Sequence, residues 1–153
     1  MQSARTKIDV SIRDQRLTLT RDGEILRSYP VSSSRFGIGT EEGSMKTPLG
    51  RFRIAEKIGD GATPGTIFKA RVALGPDDLP PATEDFVTSR ILWLDGLDEH
   101  NANTHDRFIY IHGTKHEDEL GTPASHGCIR MRNVDVIELF ELVDETTQVI
   151  IRE

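Results

Sequence analysis

Apolar and polar residues alternate along most of this chain in stretches too short for helices, and glycine, proline and aspartate-glycine signals separate those stretches. Residues 7–12 alternate as a half-buried strand. Residues 17–21 run into Asp22-Gly23, after which residues 24–31 resume the extended pattern. An Asp-Gly pair supplies the positive φ angles of a type I′ turn, so these two segments are predicted to form a hairpin. Residues 51–58, 68–74, 90–95 and 107–112 read as further strands, and the β-branched residues 146–151 as a last one. The segment after the single cysteine breaks the pattern: Val136, Ile137, Phe140 and Val143 repeat at helical spacing, with Asn133 as N-cap and Asp135 near the positive end of the helix dipole. Many short strands and one main helix predict a mainly β, largely antiparallel architecture instead of alternating βαβ units.

A chain of 153 residues fits one domain, here residues 1–153 with a core over about 7–151, and can bury a core without disulfide or metal support. Its connections are unequal. Residues 32–50 hold Gly37, Gly39, Gly43 and Gly50 with Thr47-Pro48 and read as a long functional loop; residues 59–65 are glycine-rich, and residues 75–82 form a proline-rich connection. A net charge of −6, from 19 basic and 25 acidic residues, repels phosphate backbones and anionic lipid surfaces, which disfavours nucleic acid and membranes as partners. Residues 1–30 contain no continuous apolar stretch of the kind an export signal needs, and the lone cysteine suits a reducing compartment. The expectation is a cytoplasmic protein, or a periplasmic or cell-wall one if a leader has been lost. Oligomeric state is not legible at this level.

That cysteine carries the chemistry. Cys128 lies in Ser125-His126-Gly127-Cys128-Ile129-Arg130-Met131, sixteen residues after His112 of Ile111-His112-Gly113-Thr114. Only the thiolate is a strong nucleophile, and a free thiol with pKa near ~8.5 is mostly protonated at neutral pH, so a nearby imidazole is needed as base or as counter-cation. Gly113 and Gly127 let backbone run close to a substrate. Cys128 is therefore the candidate nucleophile and His112, which ends the strand expected over 107–112 and is expected at a sheet edge or rim, the candidate base. The backbone N–H groups of Gly127 and Cys128 are candidates to hold the oxyanion of a tetrahedral intermediate. His126 and Ser125 are candidate pocket residues, against the blander reading that they only shape the turn. Tyr110 alternates with His112, so both point to one face and the phenol can line the cleft, with core packing as the equal alternative. Arg130 can grip a carboxylate in bidentate fashion, or equally pair with a surface acid. Trp93 reads as core.

The two histidine-containing motifs, together with Lys46-Thr47-Pro48-Leu49-Gly50-Arg51-Phe52, resemble the L,D-transpeptidase (YkuD-type) catalytic domain family over roughly residues 7–151. The resemblance implies a β-sandwich-like fold and cleavage after the L-centre of meso-diaminopimelate in murein tetrapeptides through a cysteine acyl-enzyme. It also implies that the Gly113 carbonyl orients the His112 ring in place of a carboxylate. With water as acceptor such enzymes are L,D-carboxypeptidases that release the terminal D-alanine; with an amine they are transpeptidases that form cross-links. This chain is similar to the small members without an export signal, which favours the carboxypeptidase and a free tetrapeptide or muropeptide as substrate, with no cofactor and no metal. Arg130 stands where the family pattern often has asparagine. Two other classes compete: a zinc site from His112, His116, His126 and Cys128, and a module that binds murein peptides without turning them over.

Overall fold

The structure, a computed structural model, describes residues 5–78 and 86–153. Among these residues ten strands and one α-helix follow in the order β1 (Thr6–Ser11), β2 (Arg16–Arg21), β3 (Glu24–Ser32), β4 (Gly50–Ile58), β5 (Ile67–Lys69), β6 (Val72–Ala73), β7 (Val87–Gly96), β8 (Tyr110–Gly113), β9 (Ile129–Met131), α1 (Asn133–Leu142) and β10 (Gln148–Arg152). The mainly β chain with one main helix is the predicted class. The predicted hairpin joins β2 and β3, and both Asp22 (φ 52) and Gly23 (φ 84) take the positive φ of the type I′ turn.

Strand pairing closes on itself. The order β4-β10-β1-β2-β3-β9-β8-β7 returns from β7 to β4, making a sandwich-like ring, and the β5–β6 hairpin hangs on the start of β7. Closure leaves no open sheet edge around the ring. Two of its pairs are parallel, β1 with β10 and β8 with β9, so the architecture is less uniformly antiparallel than the alternation suggested. Inside lies the main core, where Ile8, Val10, Leu17, Leu19, Ile111 and Ile129 are fully buried. Helix α1 packs against β7 and β8 and adds Val136, Leu139 and Phe140 to that core. Burying such side chains contributes about 1.5–3 kcal/mol each before the entropy of ordering is charged against it.

Four local expectations are corrected. Residues 68–74 are not one strand: Ala70 (φ 48) and Arg71 (φ 67) turn the chain sharply between β5 and β6. The strand expected over 107–112 begins only at Tyr110, because Phe108 has φ 58 and breaks the extended run. His112 does not sit at a sheet edge, since β8 is flanked by β7 and β9 and the imidazole is buried. Asn133 is the first residue of α1 and not its cap. Its backbone N–H donates to Glu117 Oε2 at 2.7 Å, so a carboxylate from a neighbouring turn covers the helix end, where negative charge is favoured. Of the connection over 75–82, residues 79–82 lie outside the described residues.

Candidate active site

The site grows from the parallel β8–β9 pair, in which Ile111 faces Ile129, His112 faces Arg130 and Gly113 faces Met131. Side chains alternate along a strand, so Ile111, Ile129 and Met131 enter the main core while Tyr110, His112, Cys128 and Arg130 share the opposite face. The register places Cys128 beside Tyr110, whose backbone N–H donates to Cys128 Sγ at 3.2 Å. Imidazole and sulfur thus stand on neighbouring strands, on one face, a single diagonal step of two residues apart. Side chains of this length reach across such a step. The thiol is half-buried, and its own proton points to the Phe108 carbonyl at 3.4 Å.

His112 Nδ1 lies 2.5 Å from the Gly113 carbonyl. A carbonyl can only accept, so Nδ1 carries the proton and Nε2 is the basic nitrogen of the neutral ring. The ring is oriented by backbone, as the family resemblance implied. Gly113 itself is held close: a Cβ there would sit 2.6 Å from the Thr88 carbonyl and 2.7 Å from Asn133 Oδ1.

The turn that delivers Cys128 is wired from within. Ser125 is buried; its Oγ donates to the Cys128 carbonyl at 2.6 Å and accepts from the Gly127 N–H at 3.2 Å. Gly127 adopts φ 125, where a side chain is strained. Its N–H, expected to be an oxyanion donor, is engaged by Ser125 Oγ instead, because the serine hydroxyl folds back into the turn. Ser125 accordingly shapes the turn. The Gly127 carbonyl accepts from Thr47 Oγ1 at 3.0 Å, and Thr47 Oγ1 accepts from the Ser34 N–H at 2.9 Å. The long 32–50 loop is thereby pinned to the cysteine turn.

Around this centre the expected residues separate. His126 is exposed, with its ring 5.9 Å from that of Phe36, and it borders a pocket of about 310 Å³ with Glu42, Met45, Asp106, Arg107 and Phe108. Tyr110 is buried in a small aromatic cluster with Phe68, Ile91 and Trp93, against which Cys128 packs. Burial pushes its phenol pKa up, and a hydrogen bond from Arg71 at 2.9 Å opposes the shift. Trp93 is core as expected, but of this lesser cluster: it stacks on the His105 ring at 4.0 Å. Arg130 is only 3% exposed and pairs with Glu119 at 3.2 Å, so an acid of the protein already occupies the guanidinium expected to hold a ligand carboxylate. Among the described residues no group of three or more His, Cys, Asp and Glu is arranged to ligate a metal, so the zinc set His112, His116, His126 and Cys128 is not assembled.

Three contributors escaped the sequence reading. Arg107 reaches the long loop through the Lys46 carbonyl at 2.8 Å and Ser44 Oγ at 3.4 Å. Burial lowers its pKa, and attraction to Cys128 and then Glu41 resists that shift, so a guanidinium stands where a thiolate feels it. Asn133 Nδ2 donates to the Thr114 carbonyl at 3.0 Å, and its Oδ1 accepts from Thr88 and Ser89 at 2.5 Å each, bracing the end of β8. Thr47 was visible only as a letter of a motif. Single arginines and an asparagine at a helix start carry no spacing signal that marks them.

Comparison with known proteins bears on the family and the fold. The L,D-transpeptidase catalytic domain (YkuD) family model matches residues 5–151. A Bacillus subtilis (strain 168) protein named as an L,D-transpeptidase, YkuD, is 30% identical over 144 residues, covering 94% of this chain and 64% of the relative. The chain therefore spans less than two thirds of that relative's length. Among solved structures, an L,D-transpeptidase from Xylanimonas cellulosilytica superposes with TM-score 0.65 at 19% identity, over 99% of this chain and 62% of that one. L,D-transpeptidase 3 from Mycobacterium tuberculosis, solved with a faropenem-derived adduct, superposes with TM-score 0.64 at 19% identity, over 99% of this chain and 61% of that one. At such identity the two structures speak for the fold.

Proposed function

The chain belongs to the L,D-transpeptidase catalytic domain family, and on that premise we propose that it is a cysteine acyltransferase acting on murein stem tetrapeptides, with Cys128 as nucleophile and His112 as base. His112 Nε2 takes the thiol proton, and the sulfur attacks the carbonyl at the L-centre of the third residue. The tetrahedral oxyanion is received by the Cys128 N–H at the turn, the peptide C–N bond breaks, and the imidazolium returns its proton to the departing D-alanine amine. A thioester remains on Cys128. Water, deprotonated by the same imidazole, then releases the tripeptide carboxylate and restores the thiol.

One observation carries this reading: the Tyr110 N–H bond to Cys128 Sγ, which seats the sulfur on the face of β8–β9 that also holds His112. Arg107 supports it by favouring a negative sulfur. We take hydrolysis, the L,D-carboxypeptidase outcome, as the first reading, since the half-buried thiol remains open to solvent. Glu42 and Asp106 on the pocket beside His126 favour a second, in which an ammonium-bearing acceptor docks there and the enzyme cross-links. Incubation with a disaccharide-tetrapeptide, followed by mass spectrometry, separates them. Loss of D-alanine alone supports hydrolysis, and a dimer supports transpeptidation. Absence of both products, together with no covalent adduct on Cys128 after exposure to a penem or carbapenem, overturns the enzyme and leaves a binding module.

A further inference from the structure

Arg71, Arg107 and Arg130 lie on segments that adjoin the nucleophile or the residues it touches, and they differ in what their guanidinium groups already hold. Arg130 is paired with Glu119, and Arg107 is tied to the Lys46 carbonyl, the Gly39 carbonyl and Ser44 Oγ. Arg71 is otherwise placed. It donates from Nη1 to the Tyr110 hydroxyl at 2.9 Å and lies over the rings of Trp93 and Phe108, 5.0 and 5.1 Å from their centroids. Among the described residues no carboxylate lies within ion-pair distance of it. Two aromatic faces fix the plane of the fork without consuming its N–H groups, and a guanidinium so held keeps donors for a planar, bidentate anion.

The backbone points the same way. Arg71 follows Ala70 at the tip of the β5–β6 hairpin, and both have positive φ, 48 for Ala70 and 67 for Arg71. Glycine or asparagine takes that conformation more cheaply, so an arginine there is held against a local backbone cost. The hairpin hangs from β7 directly over the aromatic cluster that Cys128 packs against. The anchored Tyr110 ties Arg71 to the strand whose N–H touches the sulfur.

We propose that Arg71 is the substrate-positioning residue that binds the free carboxylate of the C-terminal residue on the leaving side of the scissile bond, the part sequence reading gave to Arg130. The proposal rests on the acyl-transfer reading above. A carboxylate one residue beyond the attacked carbonyl would be gripped by the hairpin tip while the sulfur attacks, which selects peptides that end just after the scissile bond. The contact is a charge-assisted bond at a half-buried aromatic wall, so it discriminates an acid from its amide.

Two peptides test it: a stem tetrapeptide ending in the free D-alanine carboxylate and the same peptide ending in a primary amide. Their affinities are measured calorimetrically on Cys128→Ala protein with Arg71 intact, Arg71→Ala or Arg71→Lys. With Arg71 intact the acid should bind about 10- to 100-fold more tightly than the amide, the range expected of hydrogen bonds to a charged group. Arg71→Ala should erase that preference by weakening the acid far more than the amide, and Arg71→Lys should restore part of it. In turnover by otherwise native protein, Arg71→Ala should raise KM for the acid with kcat little altered, a split that general damage to the cleft would not give. An acid preference that survives in Arg71→Ala, or equal weakening of acid and amide, overturns the proposal. Product formation by the native enzyme is scored separately. Normal turnover with KM unmoved in Arg71→Ala removes the anchor alone, whereas an Arg71-dependent preference without any product removes the acyl-transfer reading alone.

Discussion

The two faces of the β8–β9 pair, extended by Cys128 just before β9, share one stretch of backbone and do opposite things. On one, Ile111, Ile129 and Met131 are completely buried among aliphatic neighbours. On the other, His112 and Arg130 are also 3% exposed, nearly as deep, yet each has a fixed polar partner, the Gly113 carbonyl and Glu119. Depth does not separate framework from chemistry here. What separates them is whether burial orients a polar atom. The aliphatic face gains stability from excluding water and is indifferent to the direction of any one bond, whereas the polar face is costly unless every group is directed at a partner. A strand with alternating sides lets one backbone serve both ends.

The sharpest way to break this comparison is to change one residue on each face. Cys128→Ala should lower turnover by about 10⁴-fold or more, as removal of a nucleophile does elsewhere, while the urea midpoint stays close to that of the native protein. Ile111→Ala should do the reverse: a loss of about 2–5 kcal/mol in urea unfolding, from lost transfer energy plus the cavity left behind, with turnover per folded molecule nearly intact. Should Cys128→Ala prove as destabilising as Ile111→Ala, the sulfur would belong to the framework and the division would fail.

How much of this was legible beforehand follows from the same alternation. Period-2 stretches and the Asp22-Gly23 turn exposed the β1, β2 and β3 segments, and the two motifs exposed Cys128 and His112, because those signals are local. Closure of β7 onto β4 was not legible, since it depends on residues some forty positions apart that any strand could have faced. The Ala70-Arg71 turn was missed because neither residue is a turn former, and the missed turn concealed Arg71. Arg130 was drawn from its place beside the cysteine, but only folding brings Glu119 to it. Gly127 was assigned an oxyanion role because its N–H adjoins the nucleophile, and the sequence does not show that Ser125 Oγ reaches that N–H first.

Between the two faces in expected size lies the link from the long loop. Thr47 is fully buried, and its hydroxyl joins the Ser34 N–H to the Gly127 carbonyl. Thr47→Val keeps the shape and removes both bonds, leaving a donor and an acceptor unsatisfied in the interior at about 1–3 kcal/mol. Because Gly127 precedes the nucleophile, the loosened turn should also reduce kcat by about 10-fold through misplacement of the sulfur. Urea unfolding and steady-state kinetics on one preparation check both. A fall in stability without any fall in kcat would show that the cysteine turn keeps its shape without the loop.

The smallest effect belongs to the framework's own polar contact and moves stability alone. Tyr29 on β3 donates to Glu138 Oε1 on α1 at 2.5 Å, and Arg27 Nε reaches the same oxygen at 3.0 Å. The Tyr29 bond first, and Arg27 after it, hold the Glu138 carboxyl below its ordinary 4.5, against desolvation. A carboxyl lowered in the folded state contributes stability that is complete above its unfolded value and is lost as pH falls from about 4.5 through the folded value. The Tyr29 phenol is pushed the other way, above its ordinary 10.0, by burial and then by Glu138, so its share is complete below pH 10.0 and is lost as pH rises beyond it. Tyr29→Phe removes the alkaline dependence and reduces the acid one to the share that Arg27 holds. Since the Glu138 side chain is 44% exposed, solvent screening keeps the change below about 1 kcal/mol. Urea unfolding at neutral pH and at about pH 3.5, below the ordinary carboxylate value, should show a smaller acid loss for Tyr29→Phe than for the native protein, with turnover at neutral pH unchanged. An equal acid loss in the two proteins would mean that Arg27 alone holds the carboxylate, and that the phenol contributes to the framework only through its ring.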